Sequence, residues 1–506
     1  SVGPDVSPAW CSRWPAKIPG PGSSILLFFA AMARQKKPLP LWENIPVTGW
    51  GANGKALAKV DGLVVFITGA VPGDVADLRI TKKKSSFAEA DAVRIATPSP
   101  DRIPAFCAHF GTCGGCKWQD LDYAKQLAYK QQQVVDNLER LGGLELPAVS
   151  PILASPHTRH YRNKLEFAGS AHRWFTHAEL RTLGEITDRR ALGFHIPGRF
   201  DKVMHVDTCH LQPEPSNSIR RFVHEQAGAL ELPYYQIRDN NGGLRTVLIR
   251  TTTTGECMVL IAFGEADARN EVLLAAVRDR FPEITSLLWT VNPKKNDTIW
   301  DLDIHTFHGR DHLVEEMPDE GFAALRFRIG PKSFFQTNPE QMRAMYAVTR
   351  ELAGLTGGEK VYDLYCGAGT ISLFLARHCR EVIGAEIVPE AVADARVNAE
   401  LNGITNVHFE SGDLRHLLDG GFVERHGAPD VLVTDPPRAG MHEDVVARIH
   451  QLAPPRIVYV SCNPATQARG LGMLKDRYRI THVQPVDMFP HTYHVENVVR
   501  LERIGA

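Results

Sequence analysis

The sequence lacks any run of about 20 apolar residues, the length a helix needs to cross a bilayer, so no membrane partner is expected. It also lacks a dominant charge sign. The formal net charge is -1, so any attraction to a polyanion has to come from a local basic face. Cysteine is scarce, nine in 506 residues and unevenly placed, which argues against a disulfide framework and for a reducing, cytoplasmic setting. There is no internal repeat and no long low-complexity tract. What remains is the composition of an ordinary globular chain, 43% hydrophobic and 23% charged, long enough to require two to four domains.

The first stretch has Pro and Gly clusters and one short apolar patch, Ile25 to Ala31, too short and poorly followed for a secretory signal. Residues 1–38 are expected to be a disordered leader, with Met32 as the true start. Residues 39–98 then read as short strands with Gly-rich turns, the grammar of a small OB-like barrel. Lys82, Lys83 and Lys84 are expected in one connection of that barrel, as a solvated loop or a phosphate-contacting edge.

Prolines 98, 100 and 104 mark a linker to a central α+β region, 99–330. It opens with C-A-H-F-G-T-C-G-G-C, in which Cys113 and Cys116 flank a diglycine and Cys107 lies six positions upstream. Such spacing lets three sulfurs aim at one centre, and thiolates select zinc or iron–sulfur clusters. Cys209 is the best fourth ligand and Cys257 the second. A helix over Asp122 to Leu141 carries an apolar stripe through Tyr123, Leu127, Val134, Val135, Leu138 and Leu141.

From Glu359 onward strand and helix alternate, as in a doubly wound parallel α/β sheet. The first strand ends in the turn Gly367-Ala368-Gly369, where backbone can approach a ligand. Glu386, at the next strand end, is placed to hold ribose hydroxyls, and Asp413 one strand later to reach an adenine amino group. A dinucleotide fingerprint would need a third glycine where Ser372 stands. Asp435 opens D-P-P-R, a loop locked by two prolines. In V-Y-V-S-C-N-P, Cys462 follows a buried strand at the edge where such sheets bind ligands.

Five words occur in order: F-F-Q-T-N (Phe334 to Asn338), D-L-Y-C-G-A-G-T, D-P-P-R-A-G, S-C-N-P and H-T-Y-H-V-E-N (His491 to Asn497). Together they resemble the S-adenosylmethionine-dependent RNA uracil-5-methyltransferases. The barrel, with its G-W-G-A-N-G-K-A and V-P-G-D words, resembles a TRAM domain. The cysteine pattern resembles that family's iron-sulfur branch, which modifies 23S ribosomal RNA. The resemblance covers the chain from about Leu39 to its end; residues 168–190 look like an addition to it. It implies a Rossmann-like catalytic domain over 331–506 and a [4Fe-4S] cluster on Cys107, Cys113, Cys116 and Cys209; a monomer is expected. It implies the cofactor at Gln336, Tyr365, Gly367, Thr370, Glu386, Asp413 and Asp435. It assigns a thiolate to Cys462, which adds to C6 of a flipped uridine so that C5 can accept the methyl, and a base to Glu496, which removes the C5 proton. Cys366 is then a small packing residue, and Cys257 and Cys379 are core cysteines. The rivals are a transfer-RNA methyltransferase of the same family, a non-catalytic RNA-binding module, and an exocyclic-amine methyltransferase, whose word is N/D-P-P-[YF].

Overall fold

The computed structural model describes residues 40–505, and the expected leader lies outside them. The first six strands form one sheet, in the order Leu41–Pro46, Val75–Lys83, Phe87–Thr97, Leu63–Thr68, Ala56–Val60, Gly49–Trp50. Alternate residues turn inward, so Ala56, Ala58, Val65, Ile67, Ala76, Leu78 and Ile80 make a single small core. Lys82 and Lys83 do not sit in a connection. They extend the strand Val75–Lys83, with Lys82 opposite Glu89 and Lys83 opposite Ala88. The ladder continues because Glu89 draws in Lys82 (3.0 Å) and Lys55 (2.7 Å). Only Lys84 enters the turn.

The central sheet has eight strands. Its strand Cys257–Phe263 is buried on both faces, and the pleat sorts its residues. Cys257, Val259, Ile261 and Phe263 face the helices Ser216–Ala229 and Ala268–Arg280. Met258 and Leu260 face Leu313 of the hairpin Leu313–Met317/Leu325–Ile329. The segment 168–190 finishes one strand, adds the two-residue strand Arg173–Trp174, and forms a short helix, His177–Thr182, capped by a Thr176–Glu179 box.

The C-terminal sheet has seven strands: β1 (Lys360–Leu364), β2 (Glu381–Glu386), β3 (Val407–Ser411), β4 (Val431–Thr434), β5 (Arg456–Ser461), β6 (Tyr478–Val486) and β7 (Glu496–Arg503). Their order is β3-β2-β1-β4-β5-β7-β6, and β7 alone runs antiparallel to its neighbours. Short apolar strands alternate with helices, so both faces are covered. Val361, Val382, Val433, Val458 and Val460 pack one way, against the helices Pro339–Ala353 and Thr370–Ala376. Tyr362, Ile383, Leu432, Ile457 and Tyr459 pack the other way, against Glu443–Leu452, Pro464–Gly472 and the earlier helix Tyr123–Asp136, through its Val134. Burying each such side chain contributes about 1.5–3 kcal/mol.

The helix Tyr123–Asp136 departs from the expected stripe. Gln126, Lys130 and Val134 are its buried residues, and beyond it Leu141 is 66% exposed. Two polar residues hold the inward face because their partners lie inside. Lys130 Nζ donates to Asp487 (2.6 Å) with neither side chain exposed. Among the described residues no helix is long and apolar enough to cross a membrane.

Candidate active site

Strand register brings the acidic residues to one edge. Leu364 pairs with Ala385 on β2 and Thr434 on β4, so the next residues, Tyr365, Glu386 and Asp435, leave the sheet side by side. Ser461 on β5 pairs with Asn497 on β7, which sets Cys462 beside Glu496. Two groups thus form, one around the glycine turn and one around the thiol.

At the turn, Tyr365, Gly367 and Gly369 all have positive φ (63°, 54° and 79°). Gly367 matters most: a Cβ there would point into open space, leaving its backbone accessible. Its N–H donates to Glu386 Oε2 (3.1 Å), while Val388 N–H donates to Oε1 (2.9 Å), so the carboxylate is oriented by backbone. The Tyr365 phenol is pushed up to about 12 by burial and by the nearby Asp413 and Glu386 carboxylates. Asp413 caps the four-residue helix Leu414–Leu417 and is gripped by Arg415, which holds its carboxyl at about 2. Thr370 opens the next helix, its hydroxyl bonded to Tyr346 (2.9 Å). Gln336 lies in the loop entering Pro339–Ala353, where its carbonyl accepts from Asn163 (3.2 Å).

At the thiol, Asn463 caps the helix Pro464–Gly472 and also donates to Arg438 O (3.2 Å), joining the cysteine turn to the D-P-P-R loop. Burial pushes the Cys462 thiol up to about 12, and Glu496 and Asp435 push the same way; Arg438 opposes them. The helix N-terminus behind Cys462 also favours a thiolate. Glu496, 4% exposed, is raised to about 8 by burial and by Asp435. Asp435 is raised to about 7 by burial and by Asp363.

Asp363 and Tyr346 escape a reading of the sequence. Asp363 is fully buried in β1, its Oδ2 accepting from Ser372 and its Oδ1 without a partner, and burial raises it to about 7. A signal exists: an acid at the centre of the apolar run V-Y-D-L. Glu386, Asp363, Asp435 and Glu496 thus form a row of carboxyls, of which Asp435 and Glu496 receive no hydrogen bond from a described residue. Such a row, beside an open glycine turn, fits a cationic nucleoside ligand, and a sulfonium with an amino group is one.

Cys107, Cys113, Cys116 and Cys209 are free thiols. His109 Nε2 accepts the N–H of Asp207 (3.0 Å), which draws Cys209 to the cysteine loop. Burial pushes Cys116 up to about 12, and Cys113, Cys209 and Cys107 add to it; burial likewise lifts Cys209 to about 11. Cys257 faces the core instead, 1% exposed. No three His, Cys, Asp or Glu residues among those described stand at the spacing of ligands to one ion, so the expected metal site is not seen at single-ion spacing. Four cysteine thiols are by donor type what an iron–sulfur cluster would require.

Comparison with known proteins decides the family. Residues 305–504 match the family described as "tRNA (Uracil-5-)-methyltransferase", and residues 43–93 match the TRAM domain. An "Uncharacterized RNA methyltransferase" of Bacteroides thetaiotaomicron is 54% identical over 455 residues, 89% of this chain and 99% of that protein. The chain belongs to the S-adenosylmethionine-dependent RNA uracil-5-methyltransferase family. A second "Uncharacterized RNA methyltransferase", from Porphyromonas gingivalis, is 51% identical over 465 residues, 90% of this chain and 99% of its own. The solved structure of Pyrococcus abyssi tRNA (uracil-54, C5)-methyltransferase, in complex with S-adenosyl-L-homocysteine, is 27% identical with a TM-score of 0.69. It covers 91% of this chain and 100% of its own. The enzyme is therefore an RNA methyltransferase that uses S-adenosylmethionine, with a TRAM barrel ahead of its catalytic sheet.

Proposed function

We propose that this enzyme methylates C5 of a uridine in 23S ribosomal RNA through a covalent adduct with Cys462. The observation that carries the reading is the pairing of β5 with β7, which sets a thiol beside a buried carboxyl. S-adenosylmethionine, when bound, supplies an electrophilic methyl on a sulfonium. Gln336, Tyr365, Gly367, Thr370, Glu386, Asp413 and Asp435 would hold it. Cys462 loses its proton to solvent and, as the thiolate, forms a bond to C6 of the uracil; the C5=C6 π bond breaks and its electrons move toward O4, giving an enolate that is nucleophilic at C5. After C5 has gained its methyl, Glu496 takes the C5 proton, the C6–S bond breaks, and the thiolate leaves with its electron pair. Arg438 favours the thiolate at the start and after elimination. Asp435, on the D-P-P-R loop, would lie beside both cofactor and base. The target uridine must leave its stack to reach a strand end.

The ribosomal target rests on Cys107, Cys113, Cys116 and Cys209, which would hold a [4Fe-4S] cluster in a central domain spanning 99–330. Protein purified without air should contain about four irons per chain, measured by metal analysis; stoichiometric zinc without iron would replace the cluster with a zinc site. The likeness to the Pyrococcus enzyme favours a second reading, a transfer-RNA uridine. Mapping 5-methyluridine in both RNA classes, from cells with and without the gene, separates the two: loss confined to transfer RNA overturns the ribosomal assignment.

The acid–base arrangement sets a pH dependence. Glu496 acts as a carboxylate, yet its free-enzyme value near 8 leaves it mostly protonated at pH 7, and the thiol at about 12 is protonated throughout. Both required ionisations increase with pH. kcat/KM should therefore climb steadily from pH 6 to 8.5, by about tenfold per unit or more below 8. A flat or falling profile over that range would contradict the assignment.

A further inference from the structure

We infer that Gln126 is a positioning residue for Glu496, acting through the backbone of His491; the inference rests on Glu496 being the base that takes the C5 proton.

Three residues on one face of the helix Tyr123–Asp136, at offsets of three and seven, reach the run that joins β6 to β7. The Tyr123 hydroxyl donates to Asp487 Oδ2 (2.8 Å). Lys130 Nζ donates to Asp487 Oδ1 (2.6 Å) and to Phe489 O (3.0 Å). Gln126, fully buried, accepts the His491 N–H (2.8 Å), and its amide donates to Trp118 O (2.8 Å) and Leu121 O (2.9 Å). The His491 carbonyl is taken from the other side by the N–H groups of Lys117 (2.8 Å) and Trp118 (3.1 Å), which directly follow Cys116. His491 is thus held at both its N–H and its C=O, with φ at +66°, a conformation that residues other than glycine seldom adopt.

Glu496 lies five residues further on. Between them, Tyr493 and His494 meet Arg438 at 3.4 Å and 3.3 Å. No described hydrogen bond reaches the Glu496 carboxyl; its backbone opens β7, opposite Val486 of β6 and next to the Ser461–Asn497 pair, so the side chain is aimed by that end of the ladder and by the run that enters it. That run is anchored at His491 by Gln126. Cys462, between the end of β5 and Asn463, the cap of the helix Pro464–Gly472, has supports of its own. Loosening the anchor should therefore impair proton removal while leaving attack by Cys462 intact.

The test separates the two steps on the full-length protein with a 23S ribosomal RNA transcript and S-adenosylmethionine. Transcript containing 5-fluorouridine traps each competent Cys462 and counts active sites. Transcript containing [5-³H]uridine releases tritium when the C5 proton is removed. Gln126→Leu should trap as much RNA per chain as wild type and release tritium about 10- to 100-fold more slowly per trapped site. Tyr123→Phe, which loses one bond to the same run, should trap normally and slow release about threefold. If trapping falls in Gln126→Leu while release per trapped site stays at the wild-type rate, the residue merely supports the fold and the inference is overturned. If Gln126→Leu is not recovered folded, Tyr123→Phe decides, and a wild-type release rate per site overturns the inference. A wild type that traps no RNA would overturn the uracil reading beneath it, a distinct failure.

Discussion

Cys462→Ala should bind RNA, form no adduct, and lose methyl transfer by at least about 10⁴-fold, the scale on which nucleophile removal is felt. Glu496→Gln should differ in kind. Its thiol can still add to C6 and C5 can still gain its methyl, but the proton has no acceptor and the thiolate cannot be expelled. Turnover should fall about 10²- to 10⁴-fold, as for loss of a general base. Methylated RNA should stay attached to the protein. Wild type given 5-fluorouridine RNA should stall similarly, because fluorine does not leave as a proton does. A denaturing gel with radiolabelled methyl reads all three. Cross-linking by Cys462→Ala, or normal turnover by Glu496→Gln, would reassign both roles.

Lys130→Met should destabilise the fold far more than either of those active-site substitutions. Lys130 and Asp487 are both fully buried, 2.6 Å apart. Burial lowers the Lys130 value and Asp487 raises it, so the ammonium depends on that partner. Removing it leaves a carboxylate in the interior with the Tyr123 hydroxyl and the Phe489 N–H as its remaining donors. Breaking such a pair costs about 3–5 kcal/mol. Denaturant unfolding should show most of that loss in Lys130→Met and far less in the double variant Lys130→Met/Asp487→Leu, which removes both charges. Equal losses would mean that the pair contributes through packing alone.

Much of the catalytic sheet is legible because its strands are short apolar runs that end in Gly, Asp, Glu or Cys, and the fold puts those ends on one edge. Tyr365, Glu386 and Asp435 come together through that register, as do Cys462 and Glu496. Other features are hidden because their cause lies far along the chain. Lys82 and Lys83 look like a loop until Glu89 and Ala88 are seen opposite them. Gln126 and Lys130 break the helical stripe because Asp487 and His491, more than 350 residues later, supply their partners. Asp363 is hidden because a buried strand is expected to be uniformly apolar. His109 accepting from Asp207 closes the 98-residue separation between the cysteine loop and the Cys209 segment, a contact the sequence does not announce.

The helix Tyr123–Asp136 has a consequence for modularity. It precedes the central sheet in sequence, yet Val134 is packed into the core of the catalytic sheet and Lys130 neutralises Asp487 beneath the run to β7. A fragment cut at residue 331 would carry the whole methyltransferase motif set and still be incomplete, with an apolar face uncovered and an acid unpaired. The two halves are interlaced rather than strung in series. Grafting the catalytic portion of this enzyme onto another RNA-binding front end would require the helix to travel with it.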